Sequence, residues 1–97
     1  MAEPLSYRIF IERKAEKEAE KIPPPQRHRI DKAIISLSDD PRPHDCKKLT
    51  HKEGYRIRVG NYRILYTVDD ETTTAVIYRI KIKDKNTYRY TSVLRQI

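Results

Sequence analysis

Ninety-seven residues with 21 Lys+Arg against 14 Asp+Glu, a formal net charge of +7, make one small domain, 1–97, with an economical core. At 37% hydrophobic and 36% charged, with periodic apolar positions, the chain reads as folded and excludes a disordered basic tail. The cationic excess points to a polyanionic partner: nucleic acid, an anionic membrane surface or an acidic protein.

The opening "MAEPLSYRIFIERK" has no apolar run long enough for a signal peptide or a membrane span. Cys46 is alone and fits a reducing compartment. A cytoplasmic location, with no membrane partner, is therefore expected. Residues 5–11 alternate, with Leu5, Tyr7, Ile9 and Ile11 on one face of a short strand. From Glu12 the period changes: Ile11, Ala15, Ala19 and Ile22 recur at helical spacing, and Lys14/Glu18 and Glu18/Lys21 can pair on the wet side. Three prolines at 23–25 stop that helix and can start the next, because proline is tolerated in a first turn. Ile30, Ala33, Ile34 and Leu37 form the second helix's apolar stripe, and "SDDPRPHD" ends it.

The remainder reads as sheet: a short strand at "CKKLT", strands on either side of Gly60-Asn61, a turn at "DDETT" and a long strand at "TAVIYRIKIK". Strand, two helices, then an antiparallel meander define an α+β domain with its helices on one face of the sheet. Gly60-Asn61 is a strong two-residue turn signal, since both residues accept positive φ cheaply. It fixes a register: Val59 opposite Tyr62, Arg58 opposite Arg63, Ile57 opposite Ile64, Arg56 opposite Leu65, Tyr55 opposite Tyr66. Tyr55, Ile57, Val59, Tyr62, Ile64 and Tyr66 then face the helices, and Arg56, Arg58, Arg63 and Leu65 face away. In the long strand, Val76, Tyr78, Ile80 and Ile82 are expected on the core face, with Arg79, Lys81 and Lys83 opposite.

Opposed side chains on paired strands have Cβ atoms about 5 Å apart, so these like charges repel. Taken singly, each arginine is most simply a solvated charge on an open sheet face. Three that converge beside lysines suit a phosphate, which accepts paired hydrogen bonds from planar guanidinium groups. RNA backbone is the leading candidate ligand, with tyrosines nearby at Tyr88 and Tyr90.

The stretches "YRIFIERKAEKEAEKIP" and "RIDKAIISLSDDPRPHDCKKL", and above all "GYRIRVGNYRILYTVDDE", resemble the RelE/ParE superfamily of toxin–antitoxin toxins, in its RelE branch. The resemblance covers nearly the whole chain. It implies two N-terminal helices packed on one face of a four-stranded antiparallel sheet. It also implies an mRNA endonuclease acting in the ribosomal A site and neutralised by a RelB-like antitoxin. Carried over by position, Arg56 and Arg58 match paired basic residues that line the cleavage site. Arg63 matches a phosphate-binding arginine, and Tyr88 a C-terminal tyrosine that stacks on the base or assists proton transfer. The family's last-strand arginine is absent; Lys83 is the best match, with Lys81 or Lys85 as substitutes.

Metal-independent RNA cleavage needs the 2′-OH deprotonated, the phosphorane charge stabilised and the 5′-oxygen protonated. Arginines serve the second need and make poor bases, which leaves Tyr88, His51, a lysine or a ribosomal group for the first. His51 is a loop histidine, more often merely solvated. His28, His44 and His51 lack metal-ligand spacing, so neither metal nor other cofactor is expected. Arg27, Arg29 and Lys32 read most simply as a solvated helix face, and in a protein working on ribosomes the same face suits rRNA phosphates. Two other functions share these features. One is a ParE-like gyrase poison, which needs no RNA-cleaving residues; the other is a basic RNA-binding module that does not cut.

Overall fold

Proline placement sets the first half of the fold. The computed structural model describes residues 6–82. After strand β1 (Arg8–Ile11), helix α1 (Arg13–Glu20) buries Ala15 and closes with the Ile22 amide bonded to the Ala19 carbonyl at 3.0 Å. Ile22 drops into the core just past the helix end. Helix α2 (Pro24–Ser36) then starts on its own prolines and buries Ile30 and Ile34, with Leu37 at its C-cap. Proline costs nothing there, because first-turn amides lack intrahelical acceptors anyway.

Strands β2 (Lys47–Lys48), β3 (Tyr55–Val59), β4 (Tyr62–Asp69) and β5 (Thr74–Ile82) complete one sheet in the order β1-β5-β4-β3-β2. Both helices lie against one face. The core there joins Ala15, Ile30, Ile34 and Leu37 to Ile57, Ile64, Tyr66, Ile77 and Ile80. The β3–β4 register is the one the turn signal specifies, from Val59↔Tyr62 through Tyr55↔Tyr66. Gly60 alone takes positive φ in that turn, at 59°, the pattern of a type II′ turn and not of one in which both central residues are left-handed.

Two features depart from expectation. The sheet has five strands where the resemblance implies four, and it is mixed. The helices carry the chain across the sheet, so β1 pairs in parallel with β5 at the far edge, while β2 to β5 are antiparallel. The face assignment along β5 also fails in its first half. Leu65 pairs with Arg79 but Tyr66 pairs with Ile77, so Tyr78 is an extra residue without a partner. One such residue inverts the alternation before it. Ala75 and Ile77, and not Val76 and Tyr78, are therefore buried, while Ile80 keeps its expected face. Ile82 is 57% exposed.

Long-range polar contacts pin the loop between α2 and β2. Arg42 makes two hydrogen bonds of 3.0 Å to the Asp70 carboxylate and a third, from Nε, to the Tyr55 hydroxyl at 2.9 Å. Tyr7 donates to Asp70 at 2.6 Å. The buried Tyr66 hydroxyl donates to the Pro41 carbonyl at 2.7 Å. These bonds fix the segment that leads into β2 beside the helix-free face. Among the described residues, no helix is long and apolar enough to cross a membrane.

Candidate nucleic-acid interface

Side chains directly opposed on neighbouring strands share a face, so the register of the sheet locates the cations. One row runs Arg58, Arg63, Lys81 across β3, β4 and β5. The next runs Lys47, Arg56, Leu65, Arg79 across β2 to β5. Both lie on the face away from the helices, since the alternate residues Ile57, Ile64 and Ile80 are in the core. The hairpin thus gathers Arg56, Arg58 and Arg63 on one side.

Arg63 is the centre of this arrangement. It sits on the middle strand of its row, between Arg58 and Lys81. Its Nε is sealed from solvent with no hydrogen-bond partner, the one such side-chain atom among the described residues. Burial first, then the charges of Arg56 and Arg58, lower the Arg63 pKa from the usual arginine range. A guanidinium in that position is a donor without an acceptor, surrounded by like charge. An anion beside this guanidinium would offset the crowded positive charge.

Beside it, a cavity of about 250 Å³ is lined by Asp45, Lys47, Arg56 and Arg58. Sequence reasoning singled out neither Asp45 nor Lys47. Lys47 was legible in principle, because "CKKLT" reads as a strand and needed only its pairing partner. Asp45 was not, since its position depends on a proline-rich loop held by Arg42 and Tyr66.

The remaining expected residues are distributed differently. Lys81 belongs to the cluster by register. Arg79 shares that parity, yet its Nε is held by Glu18 of α1 at 3.0 Å, so its charge is already paired at the flank of β5. The same carboxylate accepts the Ile80 amide at 2.8 Å, standing in for a neighbouring strand where β1 has ended. Arg27, Arg29 and Lys32 are exposed on α2, the helix side of the molecule, away from the arginine cluster. His51 is exposed in the loop before β3. Lys83 and Tyr88, with Lys85 and Tyr90, lie outside the described residues. Among the described residues, no three His, Cys, Asp or Glu side chains form a group able to hold a metal ion.

A small α+β domain with two helices behind one sheet is also the fold of solved RelE toxins. The isolated RelE toxin of E. coli superposes with a TM-score of 0.73 at 21% identity, covering 95% of this chain and 100% of that one. The RelE–RelB complex from Pyrococcus horikoshii gives 0.72 at 23% identity, covering 82% and 98%. The toxin–antitoxin complex RelBE2 from Mycobacterium tuberculosis gives 0.71 at 31% identity, covering 79% and 98%. No curated protein sequence matches. Residues 9–87 match the family described as ParE toxin of type II toxin–antitoxin system, parDE. The chain belongs to that family, within the RelE/ParE superfamily, and is a toxin of the type II toxin–antitoxin class.

Proposed function

We propose that this toxin is a ribosome-dependent endoribonuclease that cuts mRNA in the A site, and that a RelB-like antitoxin neutralises it in the cytoplasm. The observation that carries the reading is Arg63, a part-buried guanidinium with an unpartnered Nε, directly opposite Arg58 and Lys81. Crowding of that kind lowers stability unless a polyanion occupies the site, and a phosphodiester accepts the paired hydrogen bonds that guanidinium groups offer. Arg56, Arg58 and Arg63 hold the scissile phosphate in line and stabilise charge on the phosphorane, with Lys83 and Tyr88 completing the catalytic set. Arg27, Arg29 and Lys32 contact rRNA phosphates, and Lys81 extends the phosphate-binding row. Antitoxin-bound relatives, among them the Pyrococcus horikoshii and Mycobacterium tuberculosis complexes, support the antitoxin assignment.

A gyrase poison is the second reading, favoured by the family description itself, which is that of ParE. A translation reaction followed by primer extension separates the two. A-site cuts with wild-type protein that disappear in Arg63→Ala support the nuclease. DNA breaks with intact mRNA support the gyrase poison, and intact mRNA with intact DNA leaves a binding module.

A further inference from the structure

Asp45 is an acidic residue among candidate phosphate-binding cations. It lines the 250 Å³ cavity together with Lys47, Arg56 and Arg58. Among the described residues it has neither an ion-pair nor a hydrogen-bond partner, although three cations line the same cavity. A carboxylate facing a phosphodiester repels it, so this group weakens binding of any sugar–phosphate chain unless it meets a hydrogen-bond donor there. Phosphate and ring oxygens only accept. In a sugar–phosphate backbone the one donor is the ribose 2′-hydroxyl, which is also the group that distinguishes RNA from DNA. The cavity's size fits that role. It lies below the roughly 300–1,000 Å³ of pockets that enclose whole ligands, leaving room for one sugar–phosphate link with its base outside.

We propose that Asp45 is a specificity-determining residue that accepts a hydrogen bond from the ribose 2′-hydroxyl while Arg56, Arg58 and Lys47 hold the adjoining phosphate. The inference rests on the RNA-binding reading above. It explains why a cationic cleft carries an acidic side chain: the anion taxes DNA and RNA alike, and only RNA offsets it. Asp45 itself is exposed and outside the core cluster, so its substitution leaves the buried core intact.

The test is fluorescence anisotropy of the full chain, at low salt, with one short oligonucleotide sequence made as RNA and as DNA. Wild type is expected to favour RNA roughly tenfold, the scale of one hydrogen bond to a charged group. Asp45→Ala is expected to bind DNA at least as well as wild type does and to lose the RNA preference. Asp45→Asn, which keeps an acceptor without the charge, is expected to retain part of it. A preference undiminished in Asp45→Ala, or a wild type that binds both polymers equally, overturns this inference and leaves the RNA-binding reading standing. A wild type that binds neither polymer removes that reading and this inference with it.

Discussion

Arg58 and Arg63 face each other directly across the β3–β4 ladder, one residue from a two-residue turn on each side. No nearby carboxylate is paired with either; the two ion pairs among the described residues are Arg42–Asp70 and Arg79–Glu18. Opposed like charges on paired strands destabilise a sheet by roughly 0.2–1 kcal/mol. Arg58→Gln is therefore expected to raise the melting temperature slightly while weakening binding to RNA. A melt that falls, or RNA binding that is unchanged, contradicts a site that trades stability for an anion.

Gly54, just before β3, has φ 113°, and a Cβ built there would collide with the Tyr66 carbonyl oxygen. Neither backbone can move away, since Leu49 donates to the Gly54 carbonyl at 3.0 Å and Tyr66 is fully buried. Gly54→Ala should cost on the order of 1–3 kcal/mol, the scale of a forced residue in a glycine-only conformation. Chemical denaturation checks this, and Gly60→Ala is the control, because nothing lies within 4 Å of a Cβ there. Equal losses at the two positions would point to backbone strain alone, without the collision.

Glu18 accepts the Ile80 amide at 2.8 Å and Arg79 Nε at 3.0 Å. Both Glu18 and Arg79 are part-exposed, so their ion pair adds little by itself. The effect of Glu18→Ala should be local: faster hydrogen exchange at the Ile80 amide, with global stability lowered by less than about 1 kcal/mol. An Ile80 amide that exchanges at the wild-type rate refutes this role.

Asp70 ties the β4–β5 turn to Arg42 and to Tyr7. Hydrogen bonds from Arg42 first, then from Tyr7, hold its carboxyl below the usual carboxylate range. A depressed folded-state pKa stabilises the fold above the unfolded value of about 3.9. That contribution is lost as pH falls through the folded value. Melting curves of wild type and Asp70→Asn should differ at pH 6 and converge as the pH drops below about 4. A gap that persists into strong acid would locate the effect elsewhere.

The hairpin was legible because two independent signals agreed on it: alternating apolar residues on both strands and a two-residue glycine turn that leaves a single register. The α2 stripe at Ile30, Ile34 and Leu37 was legible for a similar reason, with prolines marking the start. Tyr78 was not. Nothing in "TAVIYRIKIK" distinguishes a bulge from uninterrupted alternation, so periodicity alone points Val76 inward where the fold buries Ala75 and Ile77. The parallel partner of β1 depends on where the helices deliver the chain, which periodicity does not encode. In the site, the arginines followed from register alone. Asp45 depends on contacts such as Arg42 to Asp70, separated by 28 residues, and Arg79 is drawn to Glu18 across 61. Side chains placed by such distant partners are read from the folded chain.

The proposed cleavage at the arginine cluster is tested most directly by the ends of the RNA fragments it would leave. Electrostatic, in-line attack by the 2′-hydroxyl, without a metal-bound water, leaves a 2′,3′-cyclic phosphate and a 5′-hydroxyl. Mass spectrometry of fragments from translating ribosomes, with wild-type toxin and with Arg63→Ala, should find those termini in the first reaction and uncut mRNA in the second. Fragments ending in 3′-hydroxyl and 5′-phosphate, or the same cuts from Arg63→Ala, contradict the account.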